Sequence, residues 1–346
     1  MKRICASLAI VLCGALTLIG CGKRERNVLN VFIWSAYLPD EVIAEFTHRT
    51  GIRVRYDTYD SNEALLEKLQ SGVADYDIVV PSDYMVQILA AEGLIQELDH
   101  ARITTFENLD PAFLNKSFDP ENKYSIPYFW GTTGIGFNRQ KFPNGVDSWG
   151  ALFDPANASR ILMLDDVREV FAVALKYLGH SVNTTDPEIL RQAADLLSAQ
   201  KRLVKTYNSG DFHNILASGD VDLAHGYNGQ LAEVISVQPD RLGYTVPKEG
   251  GVFWMDNICI PAKARNVDNA YAFISFIMDA QINAKIVNSV SYASANKAAK
   301  QFIDPTILED EAIYPPDEIL ARCEFLSDVG ETATLLDKLW TEIKAQ

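Results

Sequence analysis

The residues best suited to chemistry are carboxylates set beside aromatic rings. Residues 248–256 read KEGGVFWMD: two glycines come before two aromatics, and after these a lone acid, Asp256, precedes the apolar run Ile258-Cys259-Ile260-Pro261. On a strand alternate residues share a face, so Trp254 and Asp256 point the same way. An indole beside a carboxylate suits an organic cation, which the ring face attracts and the acid pairs with. A core tryptophan next to a turn aspartate would give the same letters. Asp165-Asp166 with Glu169 is a second acid group. It reads either as the cap and dipole partners of a helix start or as the acid pair of a glycosidase. Other catalytic patterns are missing from the sequence. It has no Walker A loop, no Gly-x-Ser-x-Gly elbow and no GxGxxG. His48, His100, His180, His213 and His225 are scattered, with no CxxC or HExxH, so neither a metal nor a cofactor is expected.

These side chains need elements to hold them. Residues 28–34 (VLNVFIW) read as a buried strand. Pro39 opens a helix over 40–50 that Gly51 stops. A second strand spans 53–59. Asp60-Ser61-Asn62-Glu63 has capping-box spacing ahead of Leu65, Leu66 and Leu69. Ile78 to Pro81 is a short strand, and Ser82-Asp83 caps a helix beginning near Tyr84. This βαβαβα order argues an open α/β sheet, which binds ligands at the carboxyl ends of its strands. The windows 34–37, 59–62 and 82–84 fall there.

Gly131 to Gly136 (GTTGIG) suits a crossing between domains. A second α/β block follows: a strand over 161–164, helices over 168–178, 184–199 and 214–217, and a strand over 221–224 running into Gly226-Tyr227-Asn228-Gly229. Gly250-Gly251 would return the chain. Helices over 268–278 and near 331–343 complete the pattern. Aromatics and acids thus gather at strand ends in both halves: Trp34, Tyr37, Tyr84, Trp254 and Asp256 in one, Asp166, Glu169 and Tyr227 in the other. A cleft lined this way suits a flexible polycation, with acids pairing its ammonium groups and rings covering its methylenes.

The 346 residues suffice for two domains. They are 48% hydrophobic and 22% charged, with a net charge of −15. Without the first twenty residues there are 29 basic against 46 acidic, a balance of −17, which excludes a nucleic-acid partner. Met1-Lys2-Arg3, an apolar run and Leu18-Ile19-Gly20-Cys21 match a lipoprotein signal whose Cys21 is lipidated. The protein is therefore expected outside the cytoplasm, periplasmic or otherwise extracytoplasmic, and lipid-anchored to a bacterial membrane. Cys259 and Cys323 alone make no disulfide framework.

With these stretches in place, the chain resembles the bacterial polyamine-binding proteins, receptors of spermidine/putrescine ABC importers. The resemblance rests on Trp34-Ser35-Ala36-Tyr37, 60–63 (DSNE), 76–82 (YDIVVPS), 108–111 (NLDP), 125–128 (SIPY), 166–171 (DVREVF), 183–187 (NTTDP), 247–256 (PKEGGVFWMD) and 328–330 (DVG). It implies an α/β protein of the type II periplasmic-binding-protein fold, with two α/β lobes, a ligand cleft and hinge crossovers. The implied divisions are a leader at 1–20, a lipidated tether at 21–27, a first lobe of 28–132 plus 255–300, and a second of 133–254 plus 301–346. The cleft closes on its ligand and the complex docks on an ABC permease with a cytoplasmic ATPase. The family implies a monomer, no enzymatic activity and no cofactor. Matched residue by residue, Trp34, Tyr37, Tyr84, Trp254 and Tyr292 are the packing aromatics, with Tyr227 where spermidine-type members have tryptophan. Asp166, Glu169 and Asp256 fall on the amine-pairing acids, and Ser35, Ser82 and Ser209 on polar contacts.

The departures bear on ligand choice. Phe325-Leu326-Ser327 replaces a Trp-Gln-Asn of spermidine-type members, and Ala36 replaces an acid. Both weaken the hold on a third amine, so the expectation leans to putrescine. Two alternatives compete: an exported binding protein for another organic cation, and a lipoprotein hydrolase. Paired acids argue against a quaternary amine. No activated nucleophile supports the hydrolase.

Overall fold

The structure, a computed structural model, describes residues 27–345 apart from Ala36, Asp60, Val73 and Ala74. The leader 1–20, Cys21 and the tether as far as Arg26 lie outside the described residues. So do Ala36 and Asp60, used above.

The first block forms in the expected order: β1 (Val28–Trp34), α1 (Asp40–Thr50), β2 (Arg53–Tyr59), α2 (Asn62–Gln70), β3 (Ile78–Val79) and α3 (Asp83–Ala91). Helix α2 is capped by Ser61, whose hydroxyl accepts the Ala64 N–H at 3.1 Å. Ser82 holds the cap position of α3 but makes no capping bond with its side chain. That corrects the expected cap, and the reason lies in the cavity described below. The chain then runs through β4 (Ser125–Asn138), β5 (Ile161–Met163), α4 (Val167–Tyr177) and α5 (Pro187–Lys201). After these come β6 (Val204–Tyr207), α6 (Phe212–Ser218), β7 (Leu223–Tyr227), α7 (Asn228–Val237) and β8 (Leu242–Thr245). Strand β9 (Phe253–Cys259), α8 (Val267–Ile277), α9 (Ala280–Val290) and β10 (Ala293–Ser294) follow, and the last helix is Thr332–Ala345.

The strands join in the order β2-β1-β3-β9-β4-β7-β5-β6, with β8 and β10 also paired to β4. Strand β4 is common to both lobes. Ser125 to Thr132 pairs antiparallel with β9, and Thr133 to Phe137 pairs antiparallel with β7. All fourteen of its residues are buried. The crossing expected at 131–136 is therefore made inside one continuous strand, and its glycines serve close packing rather than a turn. The return crossing does turn. Gly250 has φ +81°, and a Cβ there would lie 1.9 Å from the Arg322 carbonyl oxygen.

Each lobe has its own apolar core. Leu29, Val31, Phe46, Ile78, Met85, Ile258 and Ile274 belong to the first. Ile135, Trp149, Ile161, Phe171 and Leu197 belong to the second, which a satellite cluster around Phe212, Leu216 and Leu231 extends. Residues 301–326, expected in the second lobe, place Ile303, Ile313 and Leu326 in the first core. Val329 and the last helix reach the second, the helix through Leu336, Trp340 and Ile343. The cause is backbone pairing. Glu324 N–H donates to Gly251 O at 3.0 Å and Phe253 N–H donates to Glu324 O at 2.9 Å, which stitches the tail beside β9.

Asp77, fully buried just before β3, ties the first lobe together. Its carboxylate accepts the N–H groups of Asn30 (2.9 Å), Arg265 (3.0 Å) and Asn266 (2.8 Å) and the Asn266 side-chain amide at 3.0 Å. Asp77→Ala strands these donors in the interior and is expected to lower stability by about 3 kcal/mol or more, read from urea unfolding.

Candidate ligand-binding cavity

Strand β9 supplies the centre of the site. Its residues alternate as the pattern requires: Met255 faces the core, while Trp254 and Asp256 line a cavity between the lobes. A bulge at Tyr128, between the pairs Pro127–Asn257 and Phe129–Asp256, shifts the β4 register beside the acid. Asp256 is only 3% exposed. Tyr37 donates its hydroxyl to Oδ2 at 2.6 Å, and Ser82 donates to Oδ1 at 2.6 Å. This is why Ser82 does not cap its helix. Burial pushes the Asp256 carboxyl up to about 6, against the lowering effect of its two hydroxyl donors.

Asp83 stands behind it. This buried acid at the first position of α3 accepts the N–H of Tyr84 at 2.7 Å and of Met255 at 3.2 Å. Burial raises its carboxyl well above the usual range, and the nearby Asp256 adds to that rise. Across the cavity α4 begins. Asp166 is its N-cap, with one oxygen accepting the N–H groups of Arg168 (2.9 Å) and Glu169 (3.1 Å). The same residue lines the cavity, so the cap and site readings both hold geometrically. Glu169 is buried, and Thr133 donates its hydroxyl to Oε1 at 3.0 Å. Burial raises both carboxyls, and Asp166 pushes Glu169 further.

Aromatic rings fill the walls. Trp34 packs on Tyr59 at 4.6 Å between ring centroids, Tyr37 on Tyr292 at 5.0 Å, and Trp254 on Tyr292 at 5.5 Å and on Tyr227 at 6.3 Å. Neither indole N–H has a partner among the described residues, so ring packing alone orients them. Two glycines make room. A Cβ on Gly131 would lie 2.4 Å from Trp254 Cζ2, and one on Gly229 would lie 2.2 Å from Tyr292 Cε1.

All twelve residues picked from the sequence line this one cavity: Trp34, Ser35, Tyr37, Ser82, Tyr84, Asp166, Glu169, Ser209, Tyr227, Trp254, Asp256 and Tyr292. Ser35 is exposed at the wall, and Ser209 already accepts the Asp165 N–H at 2.9 Å. The cavity also takes in Tyr59, Asn62, Asp83, Gly210, Gln230 and Leu326. Tyr59 and Asn62 fall in the strand-end windows. Asp83 was legible only as a helix-start acid, and Gly210 and Gln230 carry no sequence signal. Its volume is about 130 Å³. A short flexible cation in it would meet both the acids and the rings.

The sequence profile of the bacterial extracellular solute-binding proteins matches residues 41–315. The spermidine/putrescine-binding periplasmic protein of Escherichia coli K12 is 38% identical over 333 residues, covering 96% of this chain and 95% of its own. The putrescine-binding periplasmic protein PotF of the same organism is 33% identical over 360 residues, covering 98% and 97%. Among solved structures, the Treponema pallidum lipoprotein Tp0655 (TpPotD) superposes with a TM-score of 0.83 at 30% identity, covering 92% of this chain and all of that one. The two-lobed α/β architecture is that of a periplasmic binding protein, and the chain belongs to the bacterial extracellular solute-binding protein family.

Proposed function

We propose that this chain is the extracytoplasmic polyamine receptor of an ABC importer, delivering its ligand to the permease by closure of the cleft. The observation that carries the reading is that acids from separate elements, Asp256 on β9 and Asp166 with Glu169 at the start of α4, line one aromatic cavity. Asp256 takes one ammonium group, already flanked by the Tyr37 and Ser82 hydroxyls. Asp166 and Glu169 take the second. Trp34, Trp254, Tyr227, Tyr84 and Tyr292 cover the methylenes, contributing area and cation–π attraction. Ser35 and Ser209 add polar contacts at the wall. The names of the relatives, spermidine/putrescine-binding and putrescine-binding, support the ligand class.

Leu326 on the cavity wall supports a lean to putrescine, because an aliphatic side chain cannot accept a hydrogen bond from a third amine. The hinge motion belongs to the two crossings at 132–133 and 250–252. A lipid on Cys21 would hold the receptor at the membrane surface, as one monomer per cleft, in the manner of the lipoprotein neighbour.

Titration calorimetry of the delipidated protein is expected to show putrescine binding at least as tightly as spermidine. A spermidine affinity ten or more times tighter overturns the lean. Asp256→Asn is expected to cost about 100-fold or more in putrescine affinity. The same change should stabilise the free protein at pH 8. The folded carboxyl sits near 6 against an unfolded value near 4, so stability falls as pH rises between them, by about 3 kcal/mol in all. Asparagine removes that loss, which melting curves at pH 4 and pH 8 would show. Putrescine affinity of the wild type should itself drop as pH falls through about 6, where the free protein takes up a proton at Asp256. For the anchor, Cys21→Ala should move the protein from the detergent phase to the aqueous phase in Triton partitioning.

A further inference from the structure

Behind Glu169 lies a side chain that the amine reading leaves unused. Thr133 holds Glu169 Oε1, but Oε2 is buried with no hydrogen-bond partner among the described residues. A buried carboxylate oxygen left this way is costly. His225 on β7 is 1% exposed, and its Nε2 lies 3.9 Å from that oxygen. Its other nitrogen, Nδ1, is buried and unpartnered. The edge-on Trp149 ring, 5.6 Å between centroids, packs against the imidazole, and Ile135 of β4 lies opposite it in the sheet. An orphaned buried N–H is rarer and costlier than an orphaned lone pair. The empty position at Nδ1 therefore places the proton on Nε2, the nitrogen that faces Glu169.

We propose that His225 is a positioning residue for Glu169, donating Nε2–H to the free carboxylate oxygen when an ammonium group draws that acid into its charged form. The contact needs a closing shift of about 1 Å, from the observed 3.9 Å to hydrogen-bond length. With Thr133 on one oxygen and His225 on the other, both oxygens are held, and each keeps a lone pair for the guest. Burial keeps the imidazole neutral, its value pushed down to about 3, so it donates without adding a repelling charge. The titratable and charged groups around the pair are Asp166 and Arg168 from α4, Asp83 from α3, Tyr227 from β7 and Tyr244 from β8. The same crossing carries the return chain: Trp149 donates its indole N–H to Gly250 O at 2.7 Å, and Thr133 N–H donates to Val252 O at 3.0 Å.

The proposal rests on the amine reading for its ligand, so its test has one arm with a ligand and one without. In the first, His225→Leu is expected to weaken putrescine binding about tenfold. It should also move the acid limb of the pH–affinity profile to higher pH, since the charged form of Glu169 loses a donor. His225→Gln, which can offer an N–H, should recover most of both. Wild-type affinity and profile in His225→Leu overturn the proposal, as does equal loss in Leu and Gln. The second arm is nitrogen-15 imidazole NMR of the free wild-type protein, where a neutral ring with hydrogen on Nε2 from pH 5 to 8 is expected. Hydrogen on Nδ1 overturns the proposal whatever the ligand. A wild type that binds no diamine but shows the Nε2–H ring sinks the amine reading and sustains the placement of His225 against Glu169.

Discussion

The structure is organised around carboxyl groups held away from water. Asp256, Asp83, Asp166 and Glu169 line one cavity, and among the described residues no lysine or arginine lines it with them. Burial makes charge on them expensive unless donors surround it. The fold answers with fixed donors rather than with lysine or arginine: hydroxyls of Tyr37, Ser82 and Thr133, and backbone N–H groups of Tyr84, Met255, Arg168 and Glu169. These donors are dipoles, not countercharges. They hold the acids in place while leaving their charge available to a guest, and that is what separates a receptor from a structural ion-pair network. Arg168, whose charge is felt by Asp83, Asp166 and Glu169, makes its side-chain hydrogen bonds elsewhere. Its guanidinium donates to Ser327 O at 3.0 and 3.1 Å and stacks 5.6 Å from the Tyr84 ring.

Local choices serve that arrangement at a cost to local rules. Ser82 gives up capping α3 to reach Asp256. Gly131 and Gly229 give up strand and helix propensity so that Trp254 and Tyr292 can approach the backbone. The bulge beside Asp256 breaks the register of the longest strand. Departures of this kind gather where a site is built.

Much of this was legible from the residues. The alternation in 253–256 gave the shared face of Trp254 and Asp256, because a strand's period is short and unambiguous. The strand-end rule found Tyr37, Tyr59 and Tyr84. Asp166 could not be decided from sequence, since an N-cap and a ligand acid use the same residue at the same place, and here the N-cap also lines the cavity. Strand β4 was not legible as a strand. SIPYFWGTTGIGFN is buried throughout, so it lacks alternation, and its three glycines read as a crossing between domains rather than as part of a strand. Asp83 and His225 were hidden for another reason. Their partners, Met255 and Glu169, are far away in sequence, and only the folded sheet sets them side by side. The packing of Ile303, Ile313 and Leu326 against the first core was not legible, because the tail attaches through a backbone pairing with 251–253, to which side-chain patterns are blind.

Strand β4 also governs the order in which the chain can acquire structure. Its partner in the first lobe, β9, lies more than a hundred residues downstream, and its partner in the second, β7, nearly as far. Neither sheet can be completed while only the first half of the molecule exists, and loop closure over such distances is slow. A protein that works beyond a membrane has to cross it before it is compact. With the central pairings of both lobes left to late-made segments, the strand that unites the finished receptor stays without its sheet partners until most of the chain has been made.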